Sequence, residues 1–145
     1  MNEPKINIII ADSNKDFCNI LNDYLLTQKD MVVIGIAGNG VEALKLIKEK
    51  KADLIVLNII MPRLDGLLVL EKLNTMNLNP MPRIIVLSTV SQNRIIQRAI
   101  SLGADCYVVK PFDLEIFIKN IRQVLNKTIY GYDVKKTVEL PTVFY

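Results

Sequence analysis

Two spacings of apolar residues take turns along this chain. Short, largely β-branched runs are each followed by a stretch in which apolar side chains recur every three or four positions, and the alternation repeats five times. The runs KINIII (5–10), MVVIGIA (31–37), DLIVLN (53–58), RIIVLS (83–88) and DCYVVK (105–110) predict strands. The stretches DFCNILNDYLLTQ (16–28), GVEALKLIKEK (40–50), LLVLEKLNTM (67–76), QNRIIQRAISLG (92–103) and LEIFIKNIRQVL (114–125) predict helices. Asp65 stands where the third helix needs an N-cap, Gly103 where the fourth must end, and the basic end of the second suits the negative pole of its dipole. Strands that are apolar on both faces, alternating with helices, imply a parallel sheet covered on both sides. Residues 1–126 form one such domain. Residues 127–145 fall outside the pattern and read as a linker or C-terminal arm.

Composition changes this picture little. Half of the 145 residues are hydrophobic, enough for one proper core. Eighteen Lys and Arg against 15 Asp and Glu leave a net charge of +3, too little to imply nucleic acid or a membrane surface by charge alone. No apolar run is long enough to span a bilayer, and MNEPKINIII lacks the form of a secretory signal, so the expected setting is cytoplasmic. The chain has no His, and Cys18 and Cys106 lie far apart within apolar patterns. They read as buried free thiols, and a zinc or redox site is excluded.

In an open α/β sheet, polar groups at the carboxyl ends of the strands converge on one rim. Those ends carry Asp12 and Ser13 after the first strand, Asn58 after the third, Ser88 and Thr89 after the fourth, and Lys110 after the fifth. With a flavodoxin-like strand order of 2-1-3-4-5, a (βα)5 three-layer sandwich, Asp12 and Asn58 become neighbours. Taken singly, each has a plainer reading: Asp12 as a helix N-cap, Ser88 as a turn residue, Lys110 as a solvated cation. The stretch LIVLNIIMPRLDG (54–66) holds the puzzle, because its strand ends on a neutral amide where a carboxylate could serve as nucleophile or metal ligand.

Taken together, the set resembles the receiver domain of two-component response regulators over roughly residues 4–126. The resemblance implies an aspartyl phosphoacceptor at the position of Asn58 and a Mg²⁺ site at Asp12, Ser13, Asn58 and Ile60. It implies a switch made of Ser88 and Tyr107, the aromatic that changes rotamer on activation. Within YVVKPF (107–112) it implies Lys110 as the phosphate-contacting lysine, with Thr89 beside it, and a cis Pro111. The stretches DMVVIGIAGNG, NIIMPRLDGLLVLEKL and IRQVLN are most similar to the receiver of the stage-zero sporulation master transcription regulator of endospore formers.

This sequence departs from the family pattern twice, with Asn58 for the acceptor and Ser13 for one member of the acidic pair. An amide nitrogen, delocalised into its carbonyl, offers phosphorus no lone pair, so phosphorylation at Asn58 is not expected. Mg²⁺ wants anionic oxygen ligands, and Asp12 alone faces Lys110, so its binding should be weak or absent. With no phosphoryl group to draw Ser88, Tyr107 is expected to point outward. The chain is then a pseudo-receiver, or an ordinary phosphorylatable receiver captured as an acceptor mutant. Two losses at one metal site favour the first account.

Asp65 as a substitute nucleophile is rejected in favour of its capping role. A flavodoxin-like small-ligand domain would share the fold, but ADSNKD lacks a hydroxyl- and glycine-rich phosphate cradle. GIAGNG (35–40) does not have dinucleotide-binding spacing and reads as a turn into the second helix. A hydrolase lacks both a His base and a G-x-S-x-G turn. The expected function is therefore signalling rather than catalysis. By resemblance the partners are a phosphotransferase or sensor kinase, and a second copy meeting the fourth helix, fifth strand and fifth helix. DNA would be reached only through an output domain outside these 145 residues.

Overall fold

The computed structural model describes residues 5–126 and 143–144. Its elements run β1 (Ile6–Ala11), α1 (Lys15–Leu26), β2 (Met31–Ala37), α2 (Gly40–Glu49), β3 (Leu54–Leu57), α3 (Gly66–Thr75), β4 (Arg83–Ser88), α4 (Asn93–Ser101), β5 (Cys106–Val109), α5 (Leu114–Leu125) and β6 (Val143–Phe144). The five main strands are parallel in the expected order 2-1-3-4-5, and β6 adds a short sixth strand beyond β5. That addition was not foreseen. It falls within 127–145, the segment read as a linker or arm, and the rest of that segment lies outside the described residues.

The two-residue period of a strand sorts each side chain to one face. Ile9, Ile55, Leu57, Val86 and Tyr107 belong to a cluster closed by α2, α3 and α4. Ile8, Ile10, Leu54, Val56 and Val108 belong to the opposite cluster, closed by α1 and α5 through Leu21, Leu25, Phe117 and Ile121. The central strands are therefore apolar throughout because both of their faces are interior.

Local chemistry sets the helix ends. Asn14 caps α1 by accepting from the Phe17 N–H, and Asp113 caps α5 by accepting from the Ile116 N–H. Gly103, at φ 110°, takes the left-handed turn just past α4, a conformation that side chains with a Cβ rarely adopt. GIAGNG is a capped turn. Asn39 accepts from the Glu42 N–H at 2.9 Å while the Glu42 carboxylate accepts from the Gly38 N–H at 2.9 Å, which satisfies two orphan donors reciprocally. Gly40 has a steric role, since a Cβ there would stand 2.0 Å from the Leu64 carbonyl oxygen.

Candidate functional site at the carboxyl rim of the sheet

The parallel sheet delivers the ends of β1, β3, β4 and β5 to one rim, and the polar residues converge there. Asp12, buried at 4 % exposure, accepts a 2.7 Å charge-assisted hydrogen bond from the Lys110 ammonium on one carboxylate oxygen. Its other oxygen accepts from the Asn14 N–H at 2.9 Å. Asp12 thus shapes the turn before α1 without being its N-cap, which is Asn14. The Lys110 ammonium also lies 3.9 Å from the centre of the Phe17 ring, a cation–π contact on its far side. Ser13 is exposed.

Asn58 follows β3 and its backbone N–H is held by the Ala11 carbonyl at 2.9 Å, which fixes it next to the end of β1. Its side-chain amide donates to the Ile60 carbonyl at 3.0 Å, so two of the positions assigned to a metal by resemblance bond to each other. The Ile60 side chain itself is 62 % exposed. Gly66 closes the loop from below: its N–H donates to the Ile59 carbonyl at 2.7 Å, and a Cβ there would stand 2.2 Å from the Asn58 carbonyl oxygen. Asp65 accepts from the Leu68 N–H and caps α3.

On the far side of the rim, Ser88 is fully buried and its hydroxyl accepts from the Val90 N–H at 3.2 Å. The Tyr107 ring is also fully buried, and its hydroxyl donates to the Val90 carbonyl at 2.6 Å. The expectation of an outward Tyr107 is therefore overturned. Ser88 engages its own backbone two residues on, a local bond open to any serine in a turn. The same loop residue then offers its carbonyl to the tyrosine, and burial of the aromatic ring favours that position. Thr89 is exposed and lines a shallow apolar groove with Phe17, Ile20, Phe112 and Leu114. The Lys110–Pro111 peptide is cis.

Cys18 lies beneath this rim, its thiol donating to the Asp12 carbonyl at 3.4 Å. Burial, reinforced by the Asp12 charge and opposed by Lys110, pushes its thiol up to about 11. Reactivity follows the thiolate fraction, so at pH 8 Cys18 should alkylate roughly 100-fold more slowly than an ordinary cysteine. A time course with iodoacetamide, read by peptide mass, checks this. Labelling as fast as in urea-unfolded chain would contradict the buried site.

Two contributors escaped sequence reasoning. Val90 acts only through its backbone, which has no residue-type signature. Phe17 sat in the apolar pattern of the first helix and carried no mark of its place under Lys110.

A family model described as the response regulator receiver domain matches residues 8–137. The chain belongs to the response regulator receiver family. Solved receivers agree in shape over nearly their whole length. The response regulator domain of Thermotoga maritima CheB is 27 % identical with a TM-score of 0.77, covering 84 % of this chain and 97 % of that one. The Francisella response regulator 1452 receiver domain is 27 % identical with a TM-score of 0.78, covering 86 % and 99 %. A DNA-binding response regulator of the LuxR family from Staphylococcus aureus is 26 % identical with a TM-score of 0.78, covering 83 % and 99 %. Receivers are generally signalling modules that engage kinases, phosphatases and output domains, and they generally bind Mg²⁺ in an acidic pocket. In this receiver each oxygen of Asp12 accepts a hydrogen bond, one from Lys110 and one from the Asn14 N–H, while Asp65 caps α3. Among the described residues no group of three or more His, Cys, Asp or Glu side chains is arranged to hold a metal ion. Of Asp12, Ser13, Asn58 and Ile60, Asp12 alone could offer Mg²⁺ an anionic oxygen. Among the described residues, too, no helix is long and apolar enough to cross a membrane.

Proposed function

We propose that this receiver works in a two-component or phosphorelay system without being phosphorylated. The observation that carries the reading is Asn58 at the acceptor position, with its amide turned onto the Ile60 carbonyl and the neighbouring Asp12 committed to Lys110. An amide supplies neither the nucleophile nor the anionic ligand that phosphoryl transfer with Mg²⁺ requires. The rim is closer to a neutral, self-satisfied polar cluster than to a cation site. The buried Tyr107, tied to Val90 and through it to Ser88, joins the switch residues in one hydrogen-bonded unit held by the protein's own groups. The signal then resides in the surface that α4, β5 and α5 present to a partner or a second copy, while a phosphotransferase or sensor kinase is the upstream contact. Similarity to the sporulation master regulator in DMVVIGIAGNG, NIIMPRLDGLLVLEKL and IRQVLN makes control of sporulation transcription, through an attached output domain, the biological setting we favour.

Metal affinity tests the reading. Titrated with Mg²⁺ in a calorimeter, the unaltered receiver should give no binding at millimolar concentration. Ser13→Asp together with Asn58→Asp should recover more affinity than the sum of the single changes, because the two carboxylates would share one ion. Millimolar or tighter binding by the unaltered chain would refute the proposal.

A further inference from the structure

Beyond the rim, one feature of the sheet has no part in phosphoryl chemistry. In the order 2-1-3-4-5, β5 is an edge strand, and an apolar edge leaves a row of N–H and C=O groups open to any extended chain. Here Val143–Phe144 runs parallel along that edge, with Tyr107 opposite Val143 and Val108 opposite Phe144. The local sequence TVFY (142–145) is β-branched and aromatic, the composition that favours a strand. The pairing falls on the residue whose hydroxyl grips Val90. On its other side Tyr107 pairs with Val86 of β4, so its backbone is flanked by strands on both edges. Its ring is fully buried in the cluster that α4 helps to close, next to the edge on which β6 lies.

We propose that the outer edge of β5 is a strand-accepting site for an extended apolar segment, occupied in cis by Val143–Phe144, and that this docking and the inward Tyr107 are one coupled state. Any chain that pairs with β5 must first displace β6. Whatever draws the C-terminal segment away loosens the tyrosine, and by linkage whatever holds the tyrosine inward strengthens the docking. The inference stands whether or not Asn58 can be phosphorylated.

Amide hydrogen exchange on the whole chain tests it. Alternate β5 amides within 106–109 face the outer edge. In the unaltered protein they should be protected, independently of protein concentration. In Val143→Pro/Phe144→Pro, where proline cannot donate to the ladder, they should exchange at least tenfold faster, while amides of β1 and β3 stay unchanged. The Tyr107 ring should become accessible to solvent in the same variant, read by NMR. A synthetic peptide ELPTVFY, added to the variant, should restore protection. Outward β5 amides that exchange at open-edge rates in the unaltered chain overturn the proposal without recourse to any variant. So do equal rates in the two proteins, failure of the peptide to protect, or protection that appears only at high protein concentration, which would assign the strand to a second copy.

Discussion

Incubated with acetyl phosphate and Mg²⁺, the receiver should gain no phosphoryl mass. The reason is chemical before it is structural: the lone pair of the Asn58 nitrogen is delocalised, and that nitrogen already donates to the Ile60 carbonyl. Changing Asn58→Asp restores a nucleophile but leaves the rest of the rim as it is. Ser13 still supplies no second acid, and Lys110 is held by Asp12 at 2.7 Å. Mg²⁺ that would neutralise charge developing on the transferred group is then poorly held. The single restoration should label on the order of 100-fold more slowly than Ser13→Asp/Asn58→Asp, the scale set by losing one electrostatic stabiliser of a transition state. Intact mass against time reads all three proteins. Labelling of the unaltered chain at any rim residue would sink the phosphate-independent reading. Equal rates for the single and double restorations would show that Ser13 is harmless and that Asn58 alone blocks an otherwise ordinary receiver.

Replacing Lys110 by Met should cost about 3 kcal/mol, the low end of what is lost when one partner of a buried ion pair is removed. That is a large fraction of the roughly 5–15 kcal/mol that holds a small domain together. Asp12 is 4 % exposed and cannot turn to water, so the substitution strands a carboxylate between β1 and β5. The reverse change, Asp12→Asn, should cost less, about 1–2 kcal/mol. The lysine side chain is 17 % exposed and can swing outward, keeping the face of Phe17 as a neighbour. The double variant should be less destabilised than the sum of the singles, because no charge is then left alone. Urea unfolding measures all three. A Lys110→Met loss below about 0.5 kcal/mol, the range of an ordinary surface change, would mean that the pair is solvated and that the rim is not the closed cluster described above.

The alternation of two apolar periods was enough to place five strands, five helices and the layering of the sheet, because period is a local property and both faces of a buried strand carry the same demand. The identity of the rim residues was legible too, since a parallel sheet must bring its strand ends together. The absence of a nucleophile at position 58 needed only the chemistry of an amide. Tertiary structure decided what those residues do with one another. Asp12 could as well have capped α1, but a lysine 98 positions away takes one of its oxygens and Asn14 becomes the cap. Tyr107 points inward because Ser88 and Val90 form a turn whose carbonyl happens to meet its hydroxyl, a geometry set by the seating of β4 beside β5. Gly40 and Gly66 look like turn residues in the chain, yet their missing side chains make room for the backbone of Leu64 and Asn58. The apolar residues near the C-terminus become a strand only because β5 leaves an edge open beside them. Each of these outcomes rests on a contact between segments distant in sequence, and no period or motif records which distant backbone will arrive.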